Sequence, residues 1–178
     1  MMQANTNIHT KTLVLMRHGE AEDGNQDHSR NLTWKGEEQV QDIASQLEQR
    51  SLEFDLIIAS DARRTTQTAE IIRHHFDNKP QLFLSPHLYH FQLGHLQDVL
   101  QLLSPSLSTI LVVGHNPGIS KTSNTLSQTS LYFSTAQCTI LEHPCFDIES
   151  QTDLSFEKLL TKNTWNLVQL YTPNIRSI

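Results

Sequence analysis

Cysteine is scarce in this chain: Cys138 and Cys145 are the only two among 178 residues. Seven positions apart, they supply neither a disulfide framework nor a paired zinc-ligand motif, and both read as ordinary buried or half-buried thiols. No long lysine or arginine run occurs and the formal net charge is −6, which removes a nucleic-acid backbone as a general partner. No apolar run approaches the roughly 18 residues of a membrane span. The opening residues 1–11 are polar and lack the apolar core of a secretory signal, so they are expected to form a flexible lead on a cytoplasmic protein. Repeats, low-complexity tracts and linker-like stretches are also missing, so residues 1–178 are expected to form one domain. Cys-x5-Arg, Gly-x-Ser-x-Gly and Gly-x-x-x-x-Gly-Lys motifs are absent, which excludes three common kinds of nucleophile or phosphate loop.

What is present is a strand–helix rhythm. Residues 12–16 and 109–113 are almost wholly apolar, as buried parallel strands tend to be, and 56–59, 81–84, 136–141 and 165–170 are further strand candidates. Between them, Thr33 is a plausible cap for a helix over 34–50, in which Val40, Ile43, Ala44 and Leu47 share one face. A second helix after Ser60 and Asp61 buries Ala62, Ala69, Ile72 and Phe76. Leu93, Leu96, Leu100 and Leu103 stripe a third, and a short fourth runs from Gly118 to about Leu126. Residues 143–163 carry no readable pattern. The alternation predicts an α/β fold, a three-layer α/β/α sandwich whose central sheet is mostly parallel.

Two histidines stand directly after apolar strands, in Arg17-His18-Gly19 and in Gly114-His115-Asn116-Pro117-Gly118. Ligands of open α/β sheets bind beyond the carboxyl ends of strands, so these residues can converge across about a hundred positions. A third strand end leads into Ser60-Asp61-Ala62-Arg63-Arg64, which brings another guanidinium. Arginine binds two phosphate oxygens at once and keeps its charge, and a neutral imidazole is a competent nucleophile near pH 7. His18 is therefore the candidate nucleophile, with Arg17, Arg64 and His115 as phosphate ligands. One step along a helix start turns a side chain by about 100°, so Arg63 is expected to face solvent. Asn116, Pro117 and Gly118 form either a simple turn or a helix start that lends N–H groups to phosphate, and Gly19 and Asn116 join the substrate-binding candidates.

These residues resemble the histidine phosphatase superfamily, the phosphoglycerate mutase-like proteins. Leu15-Met16-Arg17-His18-Gly19 is similar to its signature, Ser60 through Ala69 to its Ser-x-x-x-Arg-Ala-x-Gln-Thr-Ala element, and Val113-Gly114-His115 to its second histidine. Arg30-Asn31-Leu32-Thr33-Trp34-Lys35-Gly36, Phe133-Ser134-Thr135-Ala136 and Trp165 resemble the small SixA-type phosphohistidine phosphatases. The resemblance implies a phosphoglycerate mutase-like fold, a covalent phosphohistidine on His18, phosphate ligation by Arg17, Arg64 and His115, and release by water.

One departure bears on substrate. Many members carry an acidic proton donor after the third strand, yet residues 78–97 contain no Asp or Glu. Alkoxide leaving groups need such an acid, worth about 10² to 10⁴ in rate, whereas the imidazole of a phosphohistidine needs it less. The expected substrate is thus a phosphohistidine protein of a phosphorelay. A small-molecule phosphomonoesterase or mutase, and a non-catalytic phosphate-binding adaptor, are the alternatives. Glu20, Glu22 and His90 are the candidate substitute donors. His74, His75, His87, His90 and His95 lack metal-ligand spacing, so neither metal nor cofactor is expected.

Overall fold

Four short apolar strands, β1 (Thr10–Arg17), β2 (Leu56–Ala59), β3 (Gln81–Leu84) and β4 (Thr109–Gly114), pair in parallel in the spatial order β3-β2-β4-β1. They belong to a computed structural model that describes residues 10–104, 106–147 and 152–174. β5 (Cys138–Pro144) joins β1 antiparallel, and β8 (Asn166–Tyr171) closes the far edge. A small hairpin, β6 (Phe146–Asp147) with β7 (Thr152–Asp153), stands apart from this six-stranded sheet. The expected α/β sandwich with a mostly parallel sheet is thus the observed fold.

Strand side chains alternate between faces, and the core divides accordingly. Val14, Met16, Ile57, Leu111 and Val113 pack under Ile43 and Leu47 of α1 (Trp34–Gln49) and Ile72 of α2 (Arg63–His75). Leu13, Leu15, Ile58, Ile110 and Val112 meet the opposite layer: Leu96 of α3 (Leu93–Leu100), Ile119 of α4 (Gly118–Ser127) and Phe156 of α5 (Phe156–Leu159). Crossovers of one hand explain the division. The chain steps outward from β1 to β2 to β3 with helices on one face, then returns to β4, which moves α3 to the other.

Two boundaries differ from the sequence reading. Thr10 and Lys11 are not part of a lead: they extend β1, paired with Pro144 and His143 of β5. Lys11 is only 1% exposed, its stem buried and its Nζ donating to the Leu107 carbonyl at 2.5 Å. Residues 1–9 of the expected lead lie outside the described residues. The unassigned stretch 143–163 contains the end of β5, the hairpin and α5; Trp165 then packs into the core, its ring N–H donating to Leu159 O at 2.8 Å. Among the described residues no helix is long and apolar enough to cross a membrane.

The loop after β1 is fastened to α1 by close backbone approach. Thr33 caps the helix, accepting from Gly36 N at 3.0 Å, and its own N–H donates to Glu20 O at 2.9 Å. A Cβ on Gly36 would stand 2.0 Å from Glu20 O, and one on Gly19 would stand 2.6 Å from Gly36 O. Gly36→Ala is therefore expected to cost about 2–3 kcal/mol in chemical denaturation, because the obstacle is backbone. Gly94→Ala, with nothing within 4 Å of the new methyl, is expected to be neutral or to stabilise by up to about 1 kcal/mol.

Candidate active site

The backbone ladder continues past the strand ends and sets three loops side by side. Arg17 is level with Gly114, the His18 N–H donates to Gly114 O at 3.1 Å, and the Ser60 N–H donates to Val113 O at 3.3 Å. His18, Ser60 and His115 thus stand at one sheet edge. The imidazoles of His18 and His115 lie with ring centroids 5.2 Å apart, and each residue is 7% exposed.

His18 Nδ1 lies 2.7 Å from Gly19 O. A carbonyl only accepts, so Nδ1 carries the proton and the lone pair belongs to Nε2. That nitrogen faces Arg64, whose Nε donates to it at 3.3 Å. Arg64 NH2 reaches His115 Nδ1 at 3.2 Å, so that nitrogen accepts and His115 Nε2 donates to Ser60 Oγ at 2.8 Å. The Nε/NH2 side of the Arg64 guanidinium therefore spans both imidazoles. Thr68 supports the same group from α2, bonding Arg64 O at 2.8 Å while accepting from Gly19 N at 3.2 Å.

Arg17 enters from the end of β1 and is held by Phe133, whose carbonyl accepts from NH1 at 2.9 Å. Its buried Nε has no hydrogen-bond partner among the described residues. An acidic protein has here gathered two guanidiniums and two imidazoles around one space, an arrangement suited to a tetrahedral anion. Burial, with Arg64 and Arg17 adding, outweighs the Gly19 hydrogen bond and lowers His18 to about 4. Burial, then His18 and Arg64, lowers His115 to about 3. Both rings are neutral at pH 7, so Nε2 of His18 carries no proton and meets only the Arg64 N–H among the described residues.

The other predicted residues fall variously. Gly19 supplies the carbonyl that fixes the His18 tautomer. The Asn116 side chain is engaged by protein at both ends, donating to Phe133 O at 2.7 Å and accepting from Ser120 Oγ at 2.6 Å. Arg63 is exposed and donates to Asn31 at 3.0 Å. Glu20 and Glu22 do not reach the imidazoles. The Glu20 carboxylate bonds Lys35 at 2.8 Å and Thr33 at 3.1 Å, which hold it below the usual carboxylate range, and the Glu22 carboxylate accepts from Asn31 at 3.4 Å. His90 does lie near, lining an open groove of about 570 Å³ that also takes in His115, Asn116 and Lys121. His74, His75 and His95 bond Glu70, Glu48 and the His90 carbonyl, and no metal-like group of three occurs among the described residues.

Three residues at the site were not singled out from sequence. Ser60 orients His115. Asp27, in a short helical turn (Asp27–Ser29) of the loop after β1, bonds Arg64, Arg30 and Tyr89. Tyr89 also sets its ring against His115, centroids 5.3 Å apart. The one available signal was an acid three positions ahead of the Arg30 segment.

Fold and site together define an α/β protein with a two-histidine, two-arginine anion centre. The family model of the histidine phosphatase superfamily (branch 1) matches residues 13–101, and the chain belongs to that superfamily. An uncharacterized chloroplastic protein of Arabidopsis thaliana is 28% identical over 145 residues, 75% of this chain and 66% of its own length. The mitochondrial serine/threonine-protein phosphatase Pgam5 of Drosophila persimilis is 36% identical over 70 residues, 39% of this chain and 24% of its own. The chain thus spans less than two thirds of these relatives. Among solved structures, a candidate phosphohistidine phosphatase SixA from Nakamurella multipartitia superposes with TM-score 0.80 at 22% identity, covering 93% of this chain and 98% of that one. The protein histidine phosphatase SixA in complex with tungstate gives 0.73 at 21% identity, over 91% and 97%. A mycobacterial glucosyl-3-phosphoglycerate phosphatase gives 0.64 at 14%, over 89% and 97%. These likenesses establish a fold shared with SixA proteins.

The lowered imidazole values carry a stability consequence. Both folded values lie below the ordinary 6.5, so the unfolded chain takes up protons first as pH falls. The stability linked to the two rings is complete above about pH 6.5 and is lost progressively towards pH 4 and below. In phosphate-free buffer, the unfolding midpoint is expected to fall between pH 7 and 4.5, and less steeply in His115→Asn.

Proposed function

We propose that this protein is a metal-independent phosphatase that passes a phosphoryl group from phosphohistidine on a protein to His18 and then to water. The observation that carries the reading is the Arg64 fork spanning His18 Nε2 and His115 Nδ1, with the His18 tautomer fixed by Gly19. A phosphoryl group entering between these rings replaces the Arg64-to-histidine bonds with bonds to its own oxygens. His18 Nε2 attacks phosphorus, the bond to the leaving imidazole breaks, and charge on the equatorial oxygens is met by Arg17, by Arg64 and by His115, whose proton moves to Nδ1 as the Ser60 hydroxyl turns to donate to Nε2. Water then attacks phospho-His18 and releases inorganic phosphate. Charge neutralisation by guanidinium in place of a metal ion supports the metal-independent part of the reading.

The groove beside His115 receives the leaving group and its flanking chain. With residues 78–97 free of carboxylates, a leaving imidazole that is protonated before transfer suits this site better than an alkoxide. His90 is the one of the three predicted donors on that groove, and it is assigned the proton delivery that a less activated leaving group requires. Asn116 serves the substrate through the loop that it braces. One feature favours a second reading, a small acidic phosphomonoester: Lys121 is exposed in the groove and has no ion-pair partner among the described residues.

Rapid-quench labelling should trap an acid-labile, alkali-stable phosphoenzyme that is absent in His18→Ala, with turnover down by about 10³-fold or more. Arg64→Ala should lower kcat by about 10² to 10³-fold. A chelator should leave turnover of a phosphohistidine peptide unchanged and well above that of phosphoglycerate; the reverse preference would select the second reading. Because His18 is already neutral above about pH 4, labelling should show no acid limb near pH 6.5.

A further inference from the structure

Arg64 is gripped on two sides, and only one of them belongs to the reaction. Its Nε/NH2 side faces His18 and His115. Its opposite, NH1/NH2 side is closed by a single residue: NH1 donates to the Asp27 carbonyl at 2.5 Å and NH2 to Asp27 Oδ2 at 3.0 Å. A planar guanidinium offers two such forks, and filling one with main-chain and carboxylate oxygen fixes the direction of the other.

Asp27 is itself tethered. Arg30 NH1 donates to Oδ1 at 2.8 Å, and the Tyr89 hydroxyl donates to Oδ2. The Tyr89 hydrogen bond, followed by those from Arg30 and Arg64, holds the Asp27 carboxyl well below the usual carboxylate range. The residue therefore stays ionised and has no proton to give at neutral pH. Arg64 is 6% exposed, so a carboxylate on its outer edge also compensates a charge that burial would otherwise penalise.

We infer that Asp27 is a positioning residue, which clamps the outer fork of Arg64 so that the inner fork stays aimed at the phosphoryl group held between His18 and His115. Tyr89 and Arg30 secure the clamp, and Tyr89 couples it to the His115 ring. The inference rests on the phosphatase reading for its kinetic consequence, while its binding consequence stands alone. Phosphoryl oxygens displace only the two histidine contacts of Arg64 and leave the Asp27 contacts in place.

The test uses the full chain, with Asp27→Asn, Arg64→Ala, the double variant and Tyr89→Phe. Kinetics on a phosphohistidine peptide are paired with calorimetric binding of tungstate as an oxyanion probe. Asp27→Asn is expected to lower kcat about 10- to 100-fold with a smaller change in KM, as a misaimed group does, and to weaken tungstate binding. In the Arg64→Ala background the same substitution should have no further effect, a coupling that general softening of the fold would not produce. Tyr89→Phe keeps the ring on His115 and removes only the hydroxyl, and it should act in the same direction more weakly; it decides the matter if Asp27→Asn fails to fold. Wild-type kcat and tungstate affinity in Asp27→Asn, tighter tungstate binding, or full additivity with Arg64→Ala would each overturn the clamp. If the wild type turns over no phosphohistidine yet Asp27→Asn weakens tungstate binding, the substrate reading fails and the clamp holds.

Discussion

Parallel pairing of β1 with β4 and of β4 with β2 brings three strand ends level, and every contact at the site depends on that level. A strand register advances in whole residues, and a slip of one would turn each side chain to the other face. Here the register is fixed by burial on both sides: alternate residues of β1, β2 and β4 serve the two halves of the core. The large apolar interior thus specifies where two polar rings meet. His18 and His115 need no contact with one another in sequence, because the sheet brings them together.

Charge distribution adds a second condition. The chain is acidic overall, yet Arg17, Arg30 and Arg64 converge on one edge, with Asp27 among them. Burying guanidinium is costly unless its donors are met, and nearly all those of Arg64 have partners within the protein itself. A site built in this way is pre-organised: the donors stand ready, and the incoming anion exchanges bonds in place of creating order. The same burial keeps both imidazoles neutral, so one environment holds fixed guanidinium charge beside an unprotonated ring nitrogen.

The architecture was largely legible from sequence because β1, β2 and β4 are near-continuous apolar runs and α1 repeats its apolar face at helical spacing. The convergence of His18, Arg17, Arg64 and His115 was legible for a related reason, since each stands at the end of a strand, directly after one, or in the helix that follows one. Lys11 was not, because a lysine whose stem is buried and whose tip finds a backbone carbonyl looks like any solvated lysine. Nor was Asp27: it lies in a polar loop with no periodicity, and closure of that loop by the Ala21–Leu32 bridge and the Glu22–Asn31 hydrogen bond carries it to Arg64. Glu20 shows the converse. It is nearer to His18 in sequence than Asp27 is, but the capping of α1 by Thr33 draws its carboxylate to Lys35.

The groove has an uneven construction. At Gly118 the first turn of α4 lies against the main chain of Phe91, where an added methyl would be 2.2 Å from a carbonyl oxygen, while Lys121, Thr122 and Thr125 line it from further along α4. Its base is main chain against main chain and admits no variation in side-chain size. Its upper wall is side chain, exposed at Lys121, half-buried at Thr125 and buried at Thr122. Exchange of Lys121 or Thr125 would therefore reshape the groove from above while the main-chain packing at its base stays as it is.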